Sequence, residues 1–222
     1  MHFVQWSDVV DRMRGKSVAI VGSGPSSLDN AVGFVDSHDV VVRVNAYKPG
    51  NEQGLRTDVH YSFYGHSIKK SAYEMTRDGV TLCMCKCPNS KPLQSQWHEQ
   101  RGKQNGIDFR YIYTARAAWW FTDTFIPDDA QFMAKVDLLQ GHIPTTGFAA
   151  ILDVLDCEPA RVYLTGFDFF TSGQHNVDER WKPGDPSDPI GHRPMLEAAW
   201  IKANQSRVTV DRALRHVLQR LA

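Results

Sequence analysis

An apolar run, VAIVG at Val18 to Gly22, passes without a break into the glycine turn SGPSSLDN. Continuous apolar runs of this length are strands covered on both faces, so the junction commits the chain to a buried, parallel type of sheet. The spacing predicts a strand-turn-helix unit that cradles a phosphate: glycine makes the tight turn, and a helix amino terminus faces the anion. It is half of the G-x-G-x-x-G dinucleotide pattern. The third small residue of that pattern is Ser27, and the next strand, VVVRVN, ends in Arg43 and Asn45, where an NAD site would carry a carboxylate for the ribose. The amide of Asn45 both donates and accepts, which suits a base or sugar edge. The expectation is a nucleotide site of another kind than NAD.

At 222 residues, 42% of them hydrophobic, the chain can bury a good core, and one domain over residues 1–222 is expected. A formal net charge of zero argues against a nucleic-acid partner, which needs a basic surplus to neutralise phosphates. The segment MHFVQWSDVVDRMRGK has no cationic region followed by an apolar core, and no run approaches ~18 apolar residues, so a cytoplasmic protein is expected. Cys83, Cys85 and Cys87 alternate in VTLCMCKC while Cys157 stands alone, which is not a disulfide framework. Alternation on a strand would align three sulfurs on one face, as a metal site would require. No C-x-x-C pair or nearby histidine cluster completes such a site, so the thiols read as small buried hydrophobes and no metal is expected.

The rhythm along the chain is α/β. Val4, Val9, Val10 and Met13 predict an opening helix that stops at Gly15, and strands follow at VVVRVN, DVHYSFY, GVTLCMC and FRYIY. TTGFAAILDVLDC reads as a helix capped by Thr145 or Thr146, and RVYLTGFDFF as a buried strand with Asp168 at its exit. That helix start and that strand end face the same edge, where open parallel sheets bind ligands. The stretch from Thr171 to Gly191 lacks periodicity and is too long for an ordinary connector, which predicts a lid. A helix over MLEAAWIKAN, a short strand RVTV and a final helix DRALRHVLQRLA close the chain. Val210, Leu214, Val217, Leu218 and Leu221 give the last helix an apolar face opposite Arg212, Arg215 and Arg220. Two readings stand for it: docking on the core with a solvated basic face, or peripheral contact with an anionic membrane.

Several segments together carry a family resemblance. DSHDVVVRVN, following VAIVGSG, resembles the long motif of the family 29 sialyltransferases, and PTTG followed by a helix and VYLTGFD resembles their short motif. GSGPS, TTG and GFDFF are also similar to segments of the bacterial family 42 sialyltransferases, and His192 with Glu197 in GHRPMLE matches the very short motif. The resemblance brackets residues 18–197. It implies a single Rossmann-like nucleotide-binding domain with a mostly parallel sheet, a GT-A-type variant, closed by a lid loop at about 171–191. The implied activity is inverting, metal-independent transfer of sialic acid from CMP-sialic acid to a glycan hydroxyl, without a covalent intermediate; CMP-Kdo is the alternative donor. It assigns donor contacts to Gly22, Ser23, Gly24, Pro25, Ser26, Asn45, Ser62, Thr145, Thr146, Gly147, Asp168, Phe169, Phe170 and His175. His192 becomes the general base and Glu197 the residue that orients or anchors it.

Elementary chemistry agrees with that implication. CMP leaves with a single phosphate, and the chain has no Asp-x-Asp pair of the kind that holds a divalent metal on a leaving diphosphate. A helix start at Thr145 to Gly147 would supply N–H donors and about half a positive charge instead. A histidine, with an ordinary pKa near ~6.5, suits proton abstraction at neutral pH. The departures from the families are specific. Val18 stands where animal members have a disulfide cysteine, Ser23 where the bacterial turn has asparagine, and Phe170 where a tyrosine serves the phosphate. Phenylalanine cannot donate, so another group must, and His175 is the candidate. Trp119, Trp120 and Trp181 are candidates for stacking on acceptor sugars. Two further readings remain: a nucleotide-binding module without catalysis, and a dinucleotide oxidoreductase built on the Gly22 turn.

Overall fold

Val18, Ala19, Ile20 and Val21 are all buried, as the unbroken apolar run requires, because their strand lies inside a sheet with apolar clusters on both faces. The computed structural model describes residues 2–63, 70–88, 122–172 and 191–221. Its strands are β1 (His2–Phe3), β2 (Ser17–Val21), β3 (Val40–Val44), β4 (Val59–Ser62), β5 (Leu82–Cys85), β6 (Asp123–Phe125), β7 (Arg161–Thr165) and β8 (Thr209–Val210). They form one sheet in the order β1-β6-β5-β4-β3-β2-β7-β8, and every pairing is parallel. The expected FRYIY strand, the bulk of the expected lid, His175, and Trp119, Trp120 and Trp181 lie outside the described residues.

The helices are α1 (Trp6–Met13), α2 (Ala72–Arg77), α3 (Asp129–Leu138), α4 (Thr146–Asp156), α5 (Pro194–Ala203) and α6 (Arg212–Arg220). Side chains of a strand alternate between faces. Val18 and Ile20 of β2 and Val40 and Val42 of β3 therefore share the larger cluster with α1, α4, α5 and α6, while Ala19, Val21 and Val41 share a smaller one with Val35 and Tyr163. In the last helix Leu214 and Leu218 are buried in the larger cluster, so the apolar face of α6 docks on the core, and Arg212, Arg215 and Arg220 are exposed. All four cysteines are buried thiols.

Between α3 and α4 the core admits an ion pair: Lys135 Nζ lies 2.7 Å from Asp153 Oδ1, and Tyr61 donates to Asp153 Oδ2 at 2.6 Å. Burial and the neighbouring carboxylate hold the Tyr61 hydroxyl well above its usual range. Arg43 is fully buried too. Its guanidinium donates to the carbonyls of Gln53 and Gly54 at 2.7 and 2.8 Å and to Thr57 Oγ1 at 2.9 Å, pinning the loop after β3, and burial lowers its pKa to about 10.

One expectation fails at the glycine turn after β2. No α-helix follows the glycine turn; a single 3-10 turn, Pro25–Leu28, and a second, Val35–Ser37, carry the chain to β3. The segment's own polar side chains compete for the backbone groups a helix would need. Ser27 donates to Gly24 O at 2.9 Å and Asn30 to Ser27 O at 2.9 Å, and Gly33 takes a left-handed φ of 80°.

Candidate active site

Strand order sets where the loops meet. From β2 the chain adds strands on one side as far as β6, then returns to place β7 on the other side of β2, so the loops after β2 and β7 leave the sheet at its switch point. There Gly22 N donates to Thr165 O and Gly24 N to Gly166 O, both at 2.8 Å. The three glycines make this crossing possible. A Cβ on Gly22 would collide with Gly166 O, one on Gly24 would lie 2.8 Å from the same atom, and one on Gly166, at φ 74°, would lie 2.6 Å from Gly22 O. Gly22 and Gly24 thus make room for a neighbouring turn, where the sequence suggested room for a ligand.

The other residues of the turn are engaged in the same joint. Ser26, 6% exposed, donates to Asp211 Oδ2 at 2.8 Å, and that carboxylate oxygen also accepts from Thr165 Oγ1 at 2.9 Å and Gly166 N at 3.0 Å. Ser23 donates to Ala46 O at 3.3 Å, and Pro25 opens the 3-10 turn. Asp211 caps α6 through Leu214 N at 2.8 Å, so it ties the last helix to the glycine crossing. Sequence reasoning missed it, although an Asp directly before an amphipathic helix is a cap signal.

Asn45 sits just past β3 in a left-handed conformation, φ 55°, which asparagine tolerates better than most residues. Its N–H donates to Tyr61 O at 2.9 Å, its carbonyl accepts from His60 Nε2 at 2.8 Å, and Ser62 donates to its Oδ1 at 3.4 Å. Two expected donor-binding residues, Asn45 and Ser62, are thereby brought together. Burial lowers the pKa of His60 to about 4, so its ring is neutral and its Nε2–H is the donor.

A second group gathers around the start of α4. Thr145 is its N-cap: Phe148 N donates to Thr145 Oγ1 at 3.1 Å, and the hydroxyl in turn donates to Glu197 Oε2 at 2.6 Å. Thr145 N donates to Glu197 Oε1, also at 2.6 Å. With both oxygens accepting, the geometry is that of a carboxylate. Glu197 is 0% exposed, and desolvation raises its pKa to about 7 even though the Thr145 hydrogen bonds and the charge of Lys86 oppose the rise. The very short motif suggested that Glu197 anchors His192 directly; its hydrogen bonds go to Thr145 instead, because residues one turn into α5 face the start of α4.

His192 precedes α5 and is half-buried, with Nδ1 2.8 Å from Ile143 O. A carbonyl only accepts, so Nδ1 carries the proton and Nε2 the lone pair when the ring is neutral. Between these two contacts, Lys86 Nζ donates to Pro144 O at 3.0 Å, and the ammonium lies 5.2 Å from the centre of the Phe63 ring. Lys86 is 4% exposed. Three consecutive residues, Ile143, Pro144 and Thr145, are each held by a different ionisable side chain. Sequence reasoning passed over Lys86 as part of the cysteine run. A lysine at the end of a buried strand was itself the signal, since lysine is rarely buried without a partner.

Phe167 joins the two groups, and it too was missed. Its Cε1 would lie 3.3 Å from a Cβ on Gly22 and 2.7 Å from one on Gly147, so its ring edge wedges between the glycine turn and the start of α4. Beyond it, Asp168 accepts from Phe170 N at 3.0 Å and from the backbone and hydroxyl of Ser172, which makes it the cap of its own turn. Phe169 and Phe170 follow with φ of 49° and 66°. Two successive left-handed phenylalanines cost about 1–3 kcal/mol each, which the Asp168 cap helps to offset. Among the described residues no group of three or more His, Cys, Asp or Glu side chains is arranged to hold a metal ion.

No protein-family model matches the chain, and no curated protein matches it in sequence. Solved structures do. The chain is similar to the sialyltransferase CstII from Campylobacter jejuni in complex with the substrate analogue CMP-3FNeuAc, at TM-score 0.55 and 17% identity over 88% of this chain and 81% of that one. It is similar to a mammalian sialyltransferase at TM-score 0.57 and 20% identity, over 89% of this chain and 69% of that one. CstII with a trisaccharide acceptor and CMP gives TM-score 0.52 and 15% identity, over 88% and 80%. At these identities the likeness is one of fold: a sialyltransferase-like, Rossmann-type α/β sheet.

Proposed function

We propose that the chain is an inverting, metal-independent glycosyltransferase that moves sialic acid from CMP-sialic acid to a glycan hydroxyl. What carries the proposal is one hydrogen bond, His192 Nδ1–H to Ile143 O, which fixes the ring beside the capped start of α4 with its lone pair on Nε2. In this mechanism Nε2 takes the proton of the acceptor hydroxyl as the hydroxyl oxygen bonds to the anomeric carbon. The bond from that carbon to the CMP phosphate breaks with its electron pair, and CMP departs from the opposite face. With the N–H groups of Thr145 and Phe148 engaged, those of Thr146 and Gly147 are the donors at the helix start, aimed at the charge that grows on the phosphate or at the sugar carboxylate. Asn45, held by Ser62 and His60, and Ser23 line the nucleotide end. The solved structures that share the fold support the reading, since those of CstII hold CMP, CMP-3FNeuAc or CMP with a trisaccharide acceptor.

The test is CMP release from CMP-sialic acid, with and without a glycan acceptor, and with CMP-Kdo in parallel, because both donors share CMP and an anomeric carboxylate. His192→Ala is expected to lower the rate roughly 10²- to 10⁴-fold with CMP binding retained. A melting temperature that rises with NAD or FAD and ignores CMP would sink the proposal in favour of an oxidoreductase. CMP binding without turnover of either donor would leave a binding module.

A further inference from the structure

Lys86 is a buried cation that the proposed mechanism does not use. It extends from the segment after β5 to Pro144, the middle residue of the loop whose first residue holds His192 and whose third is held by Glu197. The three contacts, at 3.0, 2.8 and 2.6 Å, act on successive residues, so none of Ile143, Pro144 and Thr145 can shift without straining the other two anchors. The loop has the imidazole at one end and the amino terminus of α4 at the other. Resting on the transferase reading above, we propose that Lys86 is a positioning residue for the transfer: its ammonium fixes Pro144, its charge steadies the Glu197 carboxylate, and together they hold the base and the helix start in register.

Charge makes the lysine more than a tether. Glu197 is buried with both oxygens accepting from Thr145, an arrangement that only the carboxylate satisfies in full. Among the described residues Lys86 is the charged group acting on Glu197, and Thr145, from the start of α4, is the hydrogen-bonding one. His192, from the approach to α5, meets the same loop two residues away. Removing the positive charge leaves a buried carboxylate that protonates more easily, and a protonated Glu197 gives up one of its two bonds to Thr145. Displacement of a base by about 1 Å is enough to cost on the order of 10²-fold in rate.

The experiment compares wild type with Lys86→Met and Lys86→Gln, the latter keeping an N–H donor for Pro144 without the charge. Carbon-13 labelling of the glutamate carboxyls, with Glu197→Gln to assign the signal, reads the titration of Glu197 without any substrate. In both variants the midpoint should move to higher pH, kcat on CMP-sialic acid should fall about 10- to 100-fold with KM little changed, and the acid limb of the pH profile should follow the midpoint. In a Glu197→Gln background Lys86→Met should cost little more, because the two act as a unit. A Glu197 midpoint unmoved in a folded variant, or an unaltered kcat, overturns the proposal. Unfolding of both variants overturns it as well, by making Lys86 a stability residue. A wild type inactive on both CMP donors, with its titration still coupled to Lys86, removes the transferase reading and leaves the clamp; an active enzyme with no coupling removes the clamp alone.

Discussion

The glycine crossing after β2 and β7 and the Ile143–Thr145 loop meet across the Phe167 ring, yet they are fixed by opposite means. At the crossing, main chain rests on main chain, and what matters is the side chain that is missing at Gly22, Gly24 and Gly166. At the loop, main chain rests on ionisable side chains, His192, Lys86 and Glu197. The first joint depends above all on space. The second depends on charge and changes as protons come and go. A site assembled from both has a rigid half and a responsive half.

The largest effect should come from filling the rigid half. Gly22→Ala puts a methyl group into Gly166 O, and a backbone oxygen cannot step aside as a side chain can, so a loss of about 3 kcal/mol or more is expected in urea unfolding. Gly24→Ala, with a clearance of 2.8 Å, should cost less; equal or negligible losses would show that the turns can slide apart.

Next in size is the pH dependence of the responsive half. The folded-state pKa of Glu197 is raised from its ordinary 4.5 to about 7, chiefly by desolvation. Between those values the folded protein keeps a proton that the unfolded chain has lost, so this group's contribution to stability is greatest below pH 4.5 and declines as pH rises to about 7. The decline is at most about 1.4 kcal/mol per pH unit. Unfolding of Glu197→Gln across the same range should lack that slope; parallel curves for the two proteins would refute the assignment. The smallest effect belongs to the cap. Thr145→Val should lose about 1 kcal/mol while Thr145→Ser loses little, because the hydroxyl and not the methyl joins Phe148 N to Glu197.

The same division explains what the sequence made legible. The buried strands, the α4 helix with its Thr145 cap, and the convergence of helix start and strand ends on one edge are local or periodic signals, and periodicity survives without knowledge of partners. Gly22 and Gly24 announced a tight place, but the object in that place, Gly166, is remote in the chain, so a ligand seemed the natural occupant. Ser26 was read as a donor contact and is bonded to Asp211 for the same reason. Glu197 was paired with its near neighbour His192, whereas the helix that carries it turns it toward Thr145. The helix expected after the glycine turn was an inference from motif geometry, and the serines and asparagine of SGPSSLDN favoured tight turns instead.

The strand order has a consequence for how such a molecule comes into being. β2 and β7 are neighbours inside the sheet, and all of the chain between them must exist before they can pair. During synthesis the edge of β2 that takes β7 therefore keeps unpaired N–H and C=O groups until β7 is made, and an unpaired edge of this kind can recruit another strand. That edge is covered only by Arg161–Thr165, and the same pairing brings Gly166 against Gly22 and Phe167 against Gly147, with β8 still to add beyond β7. The inner edge of β2 is thus covered before His192 and Glu197, which follow β7 in the chain, can reach the Ile143–Thr145 loop.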